Sequence, residues 1–302
     1  MEHTALLYHS DAEMVATVAP YLADALASGA PAIAVLREDN WAMVREALGP
    51  AADQVAYTNC DAFYSRPIDA LEAYDGALGR AADRGSPPAS VVGELPRKLA
   101  ERDWREWTGY EALLNHSLAR YNASVLCTYD MGAISERLAG AACRTHPRLI
   151  GSEAGDNTCP YEEPADVLRS LAVTPTEIPP LPVIEPWDVI AFRDLLEEAL
   201  DAASVEPTRG LEMQLAATEV FVNASRYGGG ATSVRAGTVD GVFVCEISDA
   251  GPGLDDPLAG YLPPGAAGEP RARRSGLWTA RTMCSRVELI PASPGLTVRL
   301  WL

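Results

Sequence analysis

Across residues 1–150 short apolar runs alternate with amphipathic segments of helical period, and this alternation restricts the possible folds more than any single motif does. "TALLYH" precedes "DAEMVATVAPYLADALASG", "PAIAVL" precedes "EDNWAMVREALG", "ASVVGEL" precedes "WREWTGYEALLNHSLARYN", and "ASVLCTYD" precedes "AISERLAGAACR". Strands covered on both faces read as continuous apolar runs, and a helix after each strand carries the chain back so that the next strand runs parallel. The pattern predicts one α/β domain over residues 1–150, with a mainly parallel sheet between two helical layers.

From 151 to 186 the texture changes to "GSEAGDNTCPYEEPADVLRSLAVTPTEIPPLPVIEP", where prolines recur and apolar periodicity fades. This stretch reads as a linker, with one short helix around "PADVLRSL". Over residues 187–302 the order is different. Two helical patterns, "WDVIAFRDLLEEALDAASV" and "RGLEMQLAATEVFVNASRYG", precede a hairpin in "ATSVRAGTVDGVFVCEISD", where Asp240-Gly241 is a strong turn signal. A Pro/Gly/Arg-rich loop follows over about 255–274, then a helix, "GLWTARTMCSR", and two strands, "VELIPA" and "GLTVRLWL". Helices followed by a mixed or antiparallel sheet predict an α+β sandwich.

With 302 residues, 48% of them hydrophobic and 22% charged, the chain can bury a core in each domain. Its formal net charge of -18 opposes nonspecific attraction to nucleic acid or to an anionic membrane surface, so the expected partners are proteins and small molecules. The six cysteines, at 60, 127, 143, 159, 245 and 284, show neither CxxC nor CxH spacing. His116, Cys127 and His146 carry metal-ligating side chains, but their spacing does not require a metal. "MEHTALLYHSDAEM" lacks the basic start and long apolar stretch of a signal peptide, and no stretch is long enough to span a bilayer. Together these features predict residence in a reducing cytoplasm.

Three short stretches carry candidate chemistry. In "AATEVFVNASRYG", Glu219 and Asn223 are four apart and share a helix face. In "SDAGPGLDD", Asp249 can accept a hydrogen bond from an exocyclic amine, while Gly251 and Gly253 let a planar ligand approach the backbone. In "RARRSGLWTAR", Gly276 opens a helix whose N-terminus suits an anion, with Arg271, Arg273 and Arg274 just before it. Each stretch also has a plainer reading, as a solvated helix face, a tight turn and a solvated loop.

In their order and spacing these elements resemble the GHKL ATPase domain, the ATP-binding fold of histidine kinases and anti-sigma factor kinases. The resemblance implies ATP and Mg²⁺ as ligands. It implies that Asn223 binds the Mg²⁺, that Glu219 acts as general base, and that Asp249 holds the adenine amino group. Gly251 and Gly253 would shape the adenine pocket, and Gly276, with Ser275 and Leu277, would contact the phosphates. Two departures stand out. Where the family often carries two glycines this chain has Arg274-Ser275-Gly276, one glycine being replaced by arginine, so either Arg274 contacts the γ-phosphate or nucleotide binding is weakened. Tyr227 stands where many relatives have histidine. All four histidines, His3, His9, His116 and His146, lie in the first half, so a phosphoacceptor histidine just before the ATPase domain is missing. The closing segments look more like the RsbW-type serine kinases, which phosphorylate an anti-anti-sigma protein and sequester a sigma factor.

In the first half "HTALLYHSDAEM", "WREWTGYEALLNHSLA", "VLCTYD" and "THPRLI" resemble the MEDS sensory domain, which has a RecA-like α/β core and precedes GHKL domains in RsbA-like anti-sigma regulators. No GxxxxGK[ST] occurs here, so a second NTPase is not expected. Tyr8, His9, Tyr110, Glu111, Asn115, Cys127, Tyr129, Asp130 and His146 are the family-like positions, either lining a small-molecule pocket or serving as satisfied core residues. The implied partners are a sigma factor, an anti-anti-sigma (STAS) protein, or both, and a second copy of the chain. Two function classes follow: an ATP-dependent serine/threonine kinase acting on the STAS partner, or a non-catalytic partner-binding module that uses nucleotide as a switch or not at all.

Overall fold

In the computed structural model the apolar runs of the first half become a six-stranded, all-parallel sheet of order β3-β2-β4-β5-β1-β6. The structure describes residues 1–151, 160–171, 182–185, 188–254, 256, 258–261, 275–292 and 294–302. The chain divides into two units, Met1–Leu168 and Arg169–Leu302.

In the first unit the strands are β1 (Glu2–Tyr8), β2 (Ala32–Leu36), β3 (Ala56–Asn59), β4 (Ala89–Gly93), β5 (Ala123–Asp130) and β6 (Arg148–Gly151). Between them run α1 (Asp11–Ala27), α2 (Glu38–Leu48), α3 (Cys60–Phe63), α4 (Pro67–Asp83), α5 (Arg97–Arg102), α6 (Trp104–Ser117) and α7 (Glu136–Thr145). Ser10 caps α1 by accepting the Glu13 N–H at 3.3 Å. Met14, Val18 and Leu22 then repeat at helical spacing and bury against Leu6, Ala34, Leu36, Val92 and Leu126 of the strands. The edge strands β3 and β6, "AYTN" and "RLIG", contain no fully buried residue, which is why they carry no long apolar run in the sequence.

After α8 (Pro164–Leu171), the second unit consists of β7 (Val183–Ile184), α9 (Val189–Ala202), α10 (Pro207–Tyr227), β8 (Ala231–Val239), β9 (Val242–Asp249), α11 (Ser275–Met283), β10 (Arg286–Pro291) and β11 (Leu296–Trp301). Its antiparallel sheet has the order β10-β11-β9-β8-β7. β7 lies within the proline-rich stretch. Asp188 starts α9 by accepting the N–H groups of Ile190 and Ala191 at 2.8 and 2.9 Å. Phe192, Leu196 and Leu200 follow on one face, and Phe192 stacks on Phe221 of α10 with ring centroids 4.5 Å apart. Asp240 and Gly241 both hold positive φ, 49° and 82°, as a two-residue primed hairpin turn requires. The core forms where α9, α10 and α11 cover Val234, Ala236, Phe243, Cys245, Ile247, Val298 and Leu300. Among the described residues no helix is long and apolar enough to cross a membrane.

Arg299 of β11 alternates with these core residues and is only 5% exposed. Its Nε donates to Glu246 Oε2 at 2.7 Å and its Nη1 to Glu288 Oε2 at 3.0 Å, while Trp301 Nε1 donates to the same Glu288 oxygen at 3.2 Å. Removing the cation leaves Glu246 without an ion-pair partner among the described residues and Glu288 with Arg286 alone, whose Nε lies 3.4 Å from its Oε1. Arg299→Ala is therefore expected to cost about 3–5 kcal/mol in denaturant unfolding, and a loss under about 1 kcal/mol would contradict this account.

Candidate functional site

The 21-residue helix α10 runs unbroken from Pro207 to Tyr227, so Glu219 and Asn223 project from the same side one turn apart, both half-buried. Neither side chain makes a hydrogen bond to a described residue. Against them lies the first turn of α11. A Cβ placed on Gly276 would sit 2.5 Å from Asn223 Nδ2 and 3.2 Å from Glu219 Oε2, so the bare backbone of Gly276 abuts the polar pair. Gly276 thus meets two residues far from it in sequence, and only glycine leaves room for the convergence. Half-buried polar groups without protein partners are costly unless water or a ligand satisfies them.

Asp249 ends β9 and is half-buried. The Gly251 N–H donates to its Oδ1 at 2.9 Å, which fixes the turn. Its Oδ2 accepts no hydrogen bond from the described residues and remains available to a donor. The carboxylate is pressed against Gly228, just past the end of α10, where an added Cβ would meet Asp249 Cβ and Cγ at 2.4 Å. The helix carrying Glu219 and Asn223 and the turn carrying Asp249 therefore meet at one edge. The two turn glycines serve different needs. Gly253 has φ of +83°, whereas Gly251 is needed for space, since a Cβ there would lie 2.6 Å from Gly228 Cα.

Gly228 and Gly295 are site residues that sequence spacing did not single out. Gly295, at φ of +108°, lies so close that a Cβ would come within 1.9 Å of the Asp249 carbonyl oxygen. The "YGGG" run and the "SPG" turn were the available signals, but both read as ordinary chain reversals. Leu277 sits in the first turn of α11, where a Cβ on Gly260 would come within 2.7 Å of Leu277 Cβ. Arg281 stacks its guanidinium 3.7 Å from the Tyr261 ring centroid, so the chain is pinned to α11 before residue 262. Arg271, Arg273 and Arg274 lie outside the described residues. Ser275 opens α11.

The first unit has its own concavity. A cleft opens at the carboxyl ends of β2, β4 and β5, lined by Arg37, Glu94, Glu111, Tyr129 and Asp130 among others. Ligands of open α/β sheets bind at such strand ends. Glu94, 6% exposed, is held by the Arg37 N–H at 3.1 Å and by Asn40 Nδ2 at 2.9 and 3.0 Å to its two oxygens. Burial, reinforced by Glu94 and Asp130, pushes the nearby Tyr8 hydroxyl up to about 12.

The family-like positions of this half separate into groups. Glu111, Tyr129 and Asp130 reach the cleft. Tyr110 is core, in edge-to-face contacts with Trp107 and Tyr64. His9 is exposed, with its backbone N–H donating to Glu13 Oε2. Cys127 and His146 turn inward beside Glu111, with Asn115 behind them, and His3, whose signal was a lone histidine in an apolar strand, joins them. His116 is exposed and lies outside this group.

Residues 2–147 match the family model described as MEDS, the MEthanogen/methylotroph, DcmR Sensory domain, and residues 184–302 match the model of the histidine kinase-like ATPase domain. No curated protein and no solved structure matches the chain.

Proposed function

Because the chain joins a MEDS domain to a histidine kinase-like ATPase domain, we propose that it is an anti-sigma regulator whose second unit binds ATP with Mg²⁺. In this reading the unit phosphorylates a serine or threonine of a STAS partner, under control of the first unit. The observation that carries the nucleotide site is the seating of Gly276 against Glu219 and Asn223, two half-buried polar side chains without partners among the described residues.

The residues present fit the ligands. The free Asp249 Oδ2 is an acceptor for the adenine amine, and the glycines around it keep the edge of the pocket open to a flat ring. Asn223 offers an amide oxygen to Mg²⁺, a hard cation that keeps most of its own waters and neutralises phosphate charge. The N-terminus of α11, beside Asn223, suits phosphate. Glu219 would accept the proton of the partner's hydroxyl as the hydroxyl oxygen bonds to the γ-phosphorus and the bond from that phosphorus to the ADP oxygen breaks. Positioning and electrostatics supply most of the acceleration in such transfers.

The test is incubation with γ-labelled ATP, Mg²⁺ and a STAS-domain protein from the same cell. Label in a serine or threonine of the partner is expected. A melting-temperature shift with ATP but no transfer would replace this reading by that of a nucleotide-switched binding module.

A further inference from the structure

We infer that the first unit holds a transition-metal ion of the Zn²⁺ class, bound by His3, Glu111, Cys127 and His146 at the inner wall of the strand-end cleft. The four residues come from β1, α6, β5 and the residue after α7. Their ligand atoms all lie within 4.8 Å of one another. His3 Nε2 is 3.3 Å from Cys127 Sγ and 3.5 Å from Glu111 Oε2, His146 Nε2 is 3.5 Å from that same oxygen, and Cys127 Sγ is 3.6 Å from it. A tetrahedral ion with arms of about 2.0–2.3 Å places its ligand atoms about 3.3–3.8 Å apart, so four of the six edges already match.

The hydrogen bonds behind the ligands show which atoms face inward. Asn115 Nδ2 donates to the Thr145 carbonyl at 2.7 Å, which turns Asn115 Oδ1 toward His3 Nδ1 at 3.0 Å. His146 Nδ1 lies 2.8 Å from the Ala142 carbonyl oxygen. Both Nδ1 atoms must therefore carry the proton, and both Nε2 lone pairs point at Glu111 Oε2 and Cys127 Sγ. Among these four converging atoms the one hydrogen-bond donor is the Cys127 thiol, which reaches Glu111 Oε2 at 3.6 Å. His146 Nε2 has no hydrogen-bond partner among the described residues, and its side chain has no exposure. Converging lone pairs in a dry interior are unfavourable, and a cation resolves them.

Charge and ligand type narrow the ion. Two neutral imidazoles, one thiolate and one carboxylate together balance a divalent cation, with the Cys127 proton released to solvent as the metal–sulfur bond forms. Sulfur and imidazole donors favour Zn²⁺ and its neighbours over Mg²⁺ or Ca²⁺. Glu111 is the ligand shared with the cleft, so a small molecule entering there meets the metal's carboxylate ligand first.

The full chain should be purified, dialysed against a weak chelator and assayed for metal by mass spectrometry, then loaded with Co²⁺ as a spectroscopic probe. About one equivalent of metal per chain is expected. The Co²⁺ form should show tetrahedral d–d bands and a thiolate-to-metal charge-transfer band that Cys127→Ser removes and His116→Ala keeps. Asn115→Ala, which frees a positioning contact without touching the metal, should weaken binding about 10–100-fold. Wild-type protein that takes up neither Zn²⁺ nor Co²⁺, or a Co²⁺ spectrum indifferent to Cys127→Ser, would overturn the assignment. The wild-type assays stand even where a variant fails to fold.

Discussion

Glu219→Gln is expected to lower the proposed phosphoryl transfer to a STAS protein by about 10²–10⁴-fold, the range typical of a lost general base, with ATP affinity nearly unchanged. Glutamine keeps the size and polarity of the side chain, so the contact with Gly276 survives, and only the ability to take a proton is lost. Because Glu219 makes no hydrogen bond to a described residue, its replacement breaks no structural link, and the melting temperature serves as the control. A solvated helix face predicts no change in any of these readouts. Equal transfer rates for Glu219→Gln and wild type would remove Glu219 from the chemistry.

Gly276→Ala separates geometry from chemistry. The new methyl would lie 2.5 Å from Asn223 Nδ2, the free end of a short side chain. Asn223 can swing away at a cost of about 0.5–1.5 kcal/mol, which alanine's better helix propensity, about 1 kcal/mol, largely offsets. Stability should hold while the proposed Mg²⁺ ligand moves. A displacement of about 1 Å at a reacting centre costs on the order of 10²-fold, and that loss in transfer is the expected result. Wild-type transfer by Gly276→Ala would mean that the contact between α10 and α11 has no bearing on the reaction.

The sequence exposed the architecture wherever burial wrote it into the residue pattern. β1, β2, β4 and β5 were legible because both faces are covered and the runs are apolar throughout, whereas β3 and β6, at the sheet edges, mix polar and half-buried residues. β7 is two residues long and hidden among prolines, and it exists only because β8 offers it a free edge. Asp240-Gly241 was readable because few other residue pairs tolerate two successive positive φ values. In the site, the pairing of Glu219 with Asn223 follows from helical spacing, but its closure by Gly276, and the packing of Gly228 and Gly295 around Asp249, are tertiary facts without a local signature. The proposed metal ligands show the same limit. In the sequence His116, Cys127 and His146 carry metal-ligating side chains at spacings that require no metal, and His116 follows Asn115 by one residue and so turns about 100° from the face that Glu111 and Asn115 share. Its place is taken by His3, brought alongside by the parallel pairing of β1 with β5, in which His3 is opposite Val125 and Ala5 is opposite Cys127.

The central claim is that the second unit binds ATP through Asp249, and calorimetric titration of ATP with Mg²⁺ into wild type and Asp249→Asn tests it most directly. Asparagine is isosteric and can still accept the Gly251 N–H, so the turn remains. In that orientation its NH₂ group replaces the free oxygen and faces the adenine amine, donor against donor. Losing a hydrogen bond to a charged acceptor costs about 1.5–3 kcal/mol, so saturable binding by wild type and a loss of about tenfold or more in Asp249→Asn are predicted. Wild-type protein that binds no ATP, or equal affinity in the two proteins, would contradict the account and return "SDAGPGLDD" to an ordinary turn.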